Sequence, residues 1–281
     1  MRTLTWCLLP AFGLAMVGCE PPRISSDELP DRIYTRVVSL SPSTTELLGL
    51  IDCEAYLLGR TAFCTVPSSV RNATIVANPE PDFERIANLQ PDLIVADSSV
   101  MNPAWEQQLR RIGADVKVFE INSLEEWKRA VYDLASGFLR HNSASKRIGA
   151  VEQAEATWLS DPLDPKPAAI VVMNAQQPWV AGLGTFQADL IRAAGAEPLG
   201  PDSQRFEQVS PEQILAWNPR IIIVAGDPNE FTGAPWDSTE AGKRNAIVGI
   251  DPDVLLRAGG RVDIALEALG TEIRKRVRTS R

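Results

Sequence analysis

The side chains in this sequence best suited to ligating a metal or attacking an electrophile are four cysteines and one histidine. His141 stands in a polar turn, His141-Asn142-Ser143, between two helical runs and has no second imidazole. A zinc-type site needs several His, Cys or carboxylate donors brought together, so no metal site is expected. The sequence holds no C-x-x-C, no G-x-S-x-G nucleophile turn and no Cys–His pair with the logic of an activated thiol. A Gly-rich phosphate loop would follow the first strand, but Ser41-Pro42-Ser43 stands there. Hydroxyls at that point cap a helix, whose first amides then face outward. The expectation is a protein with no catalytic residue and no cofactor.

Composition narrows the class further. The chain has 281 residues, 44% hydrophobic and 23% charged, with a formal net charge of −8. This is globular composition, long enough for two domains of ordinary size. An acidic chain without clustered Lys and Arg is a poor partner for nucleic acid. The one basic stretch, Arg274-Lys275-Arg276 with Arg278 and Arg281, reads as a solvated helix end. At the other end, Arg2 precedes an apolar run from Leu4 to Val17 that Pro10 interrupts, too short to span a bilayer. It closes on Met16-Val17-Gly18-Cys19, which resembles the lipobox of bacterial lipoproteins. Residues 1–18 are therefore expected to be a cleaved signal peptide. Cys19 becomes an acylated N-terminus, a membrane anchor on the periplasmic or cell-surface side. Residues 19–35, rich in Pro, Ser and Asp, read as a tether. Once Cys7 leaves and Cys19 takes lipid, Cys53 and Cys64 remain. In an oxidising compartment they are plausible disulfide partners, adding about 3 kcal/mol; two buried free thiols are the other reading.

The positioning elements are written as a duplication. Glu84-Arg85-Ile86 through Pro91 to Ala96, and Glu212-Gln213-Ile214 through Pro219 to Val224, share Glu, Ile and Pro at a constant offset of 128 positions. Each segment predicts a short helix, a turn and a buried parallel strand. Upstream, Arg36 to Leu40 and Ala169 to Met173 open each half as apolar strands. Each half thus reads β-α-β-α-β, an α/β fold with two parallel-sheet lobes. The halves are expected at 36–139 and 166–281. Ser123 to Leu139 is predicted helical, with Ser123 as cap and Glu126 at the capping-box position. A second helical run within 140–165 joins the lobes, and a Pro-rich stretch to Pro167 ends it.

Several motifs together resemble the helical-backbone substrate-binding proteins of ABC importers, the group that carries vitamin B12, ferric siderophores and haem. They are Val37 to Leu47, Gly59-Arg60-Thr61-Ala62-Phe63-Cys64, Phe83 to Ile86 with Gln90 to Ala96, and Val209 to Leu215. The likeness covers about residues 36–281. It implies two lobes on one long helix, a ligand cleft between them and small lobe closure, because one rigid helix has no hinge strands. It further implies that Glu84 and Glu212 meet arginines of the permease subunits. First-turn glutamates also suit a helix N-terminus for purely local reasons.

For the cleft, the resemblance places Phe63 and Phe206 on aromatic positions of the B12 binders. It places Asn78 and Asp97 where those proteins carry tryptophan. Ser41, Trp179 and Trp236 are further cleft candidates. Arg257, in Leu255 to Arg261, matches a family segment before the last helix and is expected to be mainly structural. The expectation is a monomeric lipoprotein that hands a corrinoid to an importer. A ferric siderophore or haem is the alternative ligand, and a surface sensor or enzyme that kept the fold is the alternative of another class.

Overall fold

The computed structural model describes residues 32–278, so the signal segment, Cys7, Cys19 and most of the expected tether lie outside the described residues. The chain's first lobe runs β1 (Val37–Ser39), α1 (Pro42–Leu50), β2 (Leu57–Thr61), β3 (Thr74–Ala77), α2 (Phe83–Asn88), β4 (Leu93–Asp97), α3 (Pro103–Arg110), β5 (Asp115–Phe119) and α4 (Leu124–Ser136). Its five strands are all parallel in the order β3-β2-β1-β4-β5. The order reverses direction between β1 and β4, which makes the carboxyl ends of those two strands the natural ligand crevice. Tyr34 and Thr35 belong to this lobe and not to a tether. The Thr35 amide donates to Asp92 Oδ2 at 2.9 Å, and the Tyr34 hydroxyl donates to Asp115 at 3.0 Å. Burial, followed by that bond, pushes the Tyr34 phenol up to about 12.

The 20-residue helix α5 (His141–Ser160) then carries the chain to the second lobe. At 1.5 Å per residue it reaches about 30 Å. The second lobe runs β6 (Ala168–Met173), β7 (Trp179–Ala181), α6 (Phe186–Ala193), β8 (Glu197–Pro198), β9 (Phe206–Gln208), α7 (Pro211–Trp217), β10 (Ile221–Ala225), α8 (Glu240–Lys243), β11 (Ile247–Ile250), α9 (Pro252–Leu255) and α10 (Val262–Arg278). The duplication is visible as geometry. Each of α2 and α7 starts one residue after a capping Asp82 or Ser210, and β4 and β10 sit at matching positions after them.

The second sheet departs from the all-parallel expectation. Its order is β11-β10-β6-β7-β9, and β7 runs antiparallel to both β6 and β9. The cause is the short link after β6. Asn174 adopts a left-handed φ of 60°, and its side chain accepts from the amides of Gln176 and Gln177. Such a turn reverses the chain at once, whereas a parallel crossover needs a dozen or more residues.

One apolar cluster runs through both lobes, from Val37, Leu47 and Trp127 to Leu190, Ile223 and Leu266. Smaller clusters fill the outer face of each sheet. A polar clamp reinforces the shared core. Glu46 of α1 is 3% exposed and accepts from Arg261 Nη2 at 2.7 Å, the Gly260 amide at 3.2 Å and Arg257 Nη1 at 3.3 Å. The Trp127 indole donates to the Gly259 carbonyl at 2.8 Å beside it. Gly259 and Gly260 are required here: a Cβ on either would stand 2.7 Å from an oxygen of Glu46. Arg257 is thereby structural, as expected from sequence.

Arg274 is not part of a solvated helix end. It is 4% exposed, lies 4.5 Å over the Trp158 ring and donates to the carbonyls of Trp158, Asp161 and Ala194. It pins α10 to the end of α5, and burial of the helix face leaves the guanidinium only carbonyls and Asp161 to satisfy it.

Replacing Glu46 by Ala leaves two guanidiniums facing each other with their shared acceptor gone. The expected loss is about 3 kcal/mol, read as a lower urea midpoint at unchanged slope. An unchanged midpoint would show that the clamp adds nothing to stability.

Candidate functional site

The cleft between the lobes is a cavity of about 610 Å³. Its first wall is Asp97, Ser98 and Ser99 after β4 and Glu120, Ile121 and Asn122 after β5. These are carboxyl ends of neighbouring strands, with Asp97 and Phe119 in register. The facing wall is Thr185 to Gln187 at the start of α6, Gln204 to Phe206 leading into β9, and Leu256 beyond α9. Thr185 caps α6, its hydroxyl accepting from the Ala188 amide at 3.3 Å. Gln187 is held by the Leu255 and Leu256 carbonyls at 3.3 Å.

The polar floor behind the first wall comes from the Ser- and Thr-rich turn after β1. Ser41 caps α1, accepting from the Thr44 amide at 3.3 Å, and is itself buried. Hydroxyls then touch in sequence. Ser43 Oγ donates to Asp97 Oδ2 at 3.1 Å and lies 3.2 Å from Ser41 Oγ; Ser41 Oγ lies 2.7 Å from Thr44 Oγ1. Ser39 Oγ lies 2.8 Å from both Thr44 Oγ1 and Thr45 Oγ1. Thr45 Oγ1 and Thr61 Oγ1 flank Cys64 Sγ at 3.0 and 3.2 Å, and Thr61 accepts from the Phe63 amide. The network therefore runs without a gap from Asp97 to Phe63. A buried hydroxyl without a partner costs 1–3 kcal/mol, so the chain keeps them in mutual contact.

The candidates taken from sequence separate into groups. Asp97 and Phe206 line the cleft from opposite lobes. Ser41 lies beneath it. Phe63, 54% exposed, and Asn78 follow the carboxyl ends of β2 and β3, on the same sheet edge as Asp97 but outside the lining. Trp179 opens β7 at the end away from Thr185 and is also outside it. Trp236 is a correction: it is 2% exposed, meets Phe231 edge-on at 4.8 Å and packs with Ile214 and Val224 on the outer face of the second sheet. The irregular stretch around it needs an apolar anchor, and Trp236 supplies it.

Cys53 and Cys64 are a second correction, being free buried thiols with separate surroundings. Cys53 Sγ lies 3.5 Å from the Ile51 carbonyl, while Cys64 belongs to the hydroxyl network. Burial pushes the Cys53 thiol up to about 11 against the lowering pull of Arg140. Glu120, Asn122, Gln204 and Arg205 were not singled out from sequence. The rule that ligands sit beyond strand carboxyl ends points to the first two; Gln204 and Arg205 lie in a loop whose path no pattern encodes.

No group of three or more His, Cys, Asp or Glu side chains poised to hold a metal ion occurs among the described residues. Glu84 and Glu212 are exposed in the first turns of α2 and α7. The Glu212 carboxyl is held below its ordinary range by its own backbone amide and then by the Ser210 hydroxyl.

Two sheets facing one cleft, a single connecting helix and a shared core define a two-lobed substrate-binding protein. The chain belongs to the periplasmic binding protein family, whose model matches residues 37–254. A vitamin B12-binding protein of Pectobacterium carotovorum is 25% identical over 248 residues, covering 85% of this chain and 88% of that one. An ABC transporter substrate-binding lipoprotein of Bacillus subtilis, YvrC, is 22% identical over 250 residues, covering 85% and 79%. In fold, the chain is similar to the periplasmic vitamin B12 binding protein BtuF of Vibrio cholerae, with a TM-score of 0.77 at 20% identity, covering 87% of this chain and 98% of that one. It is also similar to a periplasmic heme binding protein of Pseudomonas aeruginosa, with a TM-score of 0.73 at 21% identity, covering 86% and 93%.

Both thiols are expected to resist alkylation at pH 8 in the native protein, because both are buried away from the reagent and burial also pushes the Cys53 thiol up. Both should react at once in denaturant without reductant. Mass spectrometry showing an unreactive pair until reduction would restore the disulfide.

Proposed function

We propose that this protein is an extracytoplasmic lipoprotein, anchored through Cys19, that binds a corrinoid between its lobes and delivers it to an ABC importer. The observation that carries the ligand class is the lining of the cleft. Phe206 offers one flat apolar face, and the remainder is mostly hydroxyl, amide and carboxylate. A corrinoid needs this combination, being a flat macrocycle with an amide-bearing rim. The lining includes neither Tyr nor His, the side chains that would hold a haem iron axially. The vitamin B12-binding relatives point the same way. Arg205 on the second wall favours an anionic ferric chelate as the second reading.

Docking follows from the duplication. Glu84 and Glu212 occupy equivalent places on the two lobes, exposed and on capped helices. Matched charges suit a two-fold partner and set its orientation and on-rate.

Calorimetric titration of the purified protein with cyanocobalamin and cobinamide should give a Kd below about 1 μM, with no heat from haem or ferric siderophores. Phe206→Ala should weaken it about ten-fold. Response to a ferric siderophore alone would move the protein to iron uptake; silence from every ligand would sink the receptor reading. Glu84→Ala with Glu212→Ala should keep the affinity and abolish corrinoid uptake by cells. Uptake that survives in the double variant would remove those two residues from docking.

A further inference from the structure

We propose that Asp97 is a specificity-determining residue that reads N–H donors on the ligand rim and turns carboxylates away, with Ser43 and Ser99 positioning it. This rests on the corrinoid reading above. Asp97 closes β4 at the point where the strand order of the first sheet reverses, and its side chain lines the cleft. Three hydrogen bonds fix the carboxylate: the Ser99 amide at 2.8 Å and Ser99 Oγ at 2.6 Å on Oδ1, and Ser43 Oγ at 3.1 Å on Oδ2. An ionised carboxylate has about four acceptor positions. Both positions on Oδ1 are taken and one on Oδ2, so one remains on Oδ2 for a donor from the ligand.

The rest of the wall agrees in sign. Glu120, after the neighbouring strand, is exposed at the cleft, and its Oε1 accepts from the Asn122 amide group at 3.2 Å. No Lys or Arg lines this side, and the one guanidinium of the lining, Arg205, stands on the other lobe. The cleft is thus polarised across its width. A ligand edge carrying primary amides, or an ammonium, gains a bond from Asp97 and no repulsion. An edge carrying a carboxylate meets the fixed, half-buried Asp97 and the exposed Glu120, and near a protein surface such repulsion is several times stronger than in bulk water. The ligand's anionic part, if it has one, faces Arg205. Ser43 matters because its hydroxyl is itself held by the buried Ser41 and Thr44 network, so Asp97 is oriented before any ligand arrives.

The test uses calorimetric titration of the purified protein with cyanocobalamin and with the monocarboxylic acids made by hydrolysing single peripheral amides, one isomer at a time. At least one isomer should bind about ten-fold or more weakly than the parent. Asp97→Asn should bring that isomer to within about three-fold of the parent, and Ser43→Ala should give an intermediate ratio in a protein that still unfolds in one cooperative transition. Equal binding of every isomer to the natural protein overturns the proposal while leaving the corrinoid receptor standing. A penalty that persists in Asp97→Asn also overturns it. If no corrinoid binds, the corrinoid reading falls, and the wall is tested with two ferric hydroxamates, one bearing a free ammonium and one a carboxylate. A preference for the ammonium form that vanishes in Asp97→Asn supports the role of Asp97, and no preference ends it.

Discussion

The geometry of the cleft depends on one buried carboxylate. Glu46 sits in the first helix of the first lobe, yet everything that satisfies it, Arg257, Gly260 and Arg261, comes from the last stretch of the second. Burying a carboxylate is costly unless it is paired and hydrogen-bonded, so the two lobes hold each other in one arrangement or both lose. Gly259 and Gly260 are part of that constraint, since a side chain on Gly259 would occupy the space of the carboxylate and one on Gly260 would run into the Glu46 backbone carbonyl. The shared apolar core through α1, α4, α6 and α10 works in the same direction. The crevice between the sheets is therefore present before ligand arrives, and little binding free energy goes into closing it.

Preorganisation continues down to single atoms. The turn from β1 into α1 places Ser39, Ser41, Ser43, Thr44 and Thr45 within one buried network, reaching Asp97 at one end and Thr61 and Phe63 at the other. Each hydroxyl is satisfied by a neighbour, so the network has little freedom to rearrange. The second wall is built differently, from a capped helix start and a loop leading into β9. Its Phe206 and Arg205 complement the acidic first wall. The two lobes descend from one repeated pattern but contribute opposite chemistry to the space between them.

Much of this was legible in the sequence where a local rule acts. The offset of 128 positions foretold α2 with β4 and α7 with β10, because helix cap, turn proline and apolar run are all short-range signals. Ser123 caps α4 as its spelling predicts, with Glu126 folding back to the Asn122 amide at 2.7 Å. What escaped depends on contacts far apart in the chain. Trp236 reads like any aromatic in a polar loop until the outer face of the second sheet is known. Arg274 reads as a solvated cation until the end of α5 lies beneath it. The reversal at β7 was hidden in one asparagine. Two cysteines of the right count and spacing do not disclose that each thiol has other partners. Of the cleft, Asp97 and Phe206 were reachable through family likeness, whereas Gln204 and Arg205 depend on the path of a loop.

The clamp also imposes an order in time. A ribosome releases the chain from its N-terminus, so Glu46 emerges early, and its guanidinium partner Arg257 follows 211 residues later. Until then the first lobe has a carboxylate at the site of its future interface without the two guanidiniums that pair with it in the folded protein. Only when the segment before the last helix is delivered do charge and core close together. The first lobe is thus an unfinished half until the last stretch of the second is available to it. A chain that stops short of Arg257 keeps the Glu46 carboxylate but lacks both guanidiniums that pair with it in the complete protein.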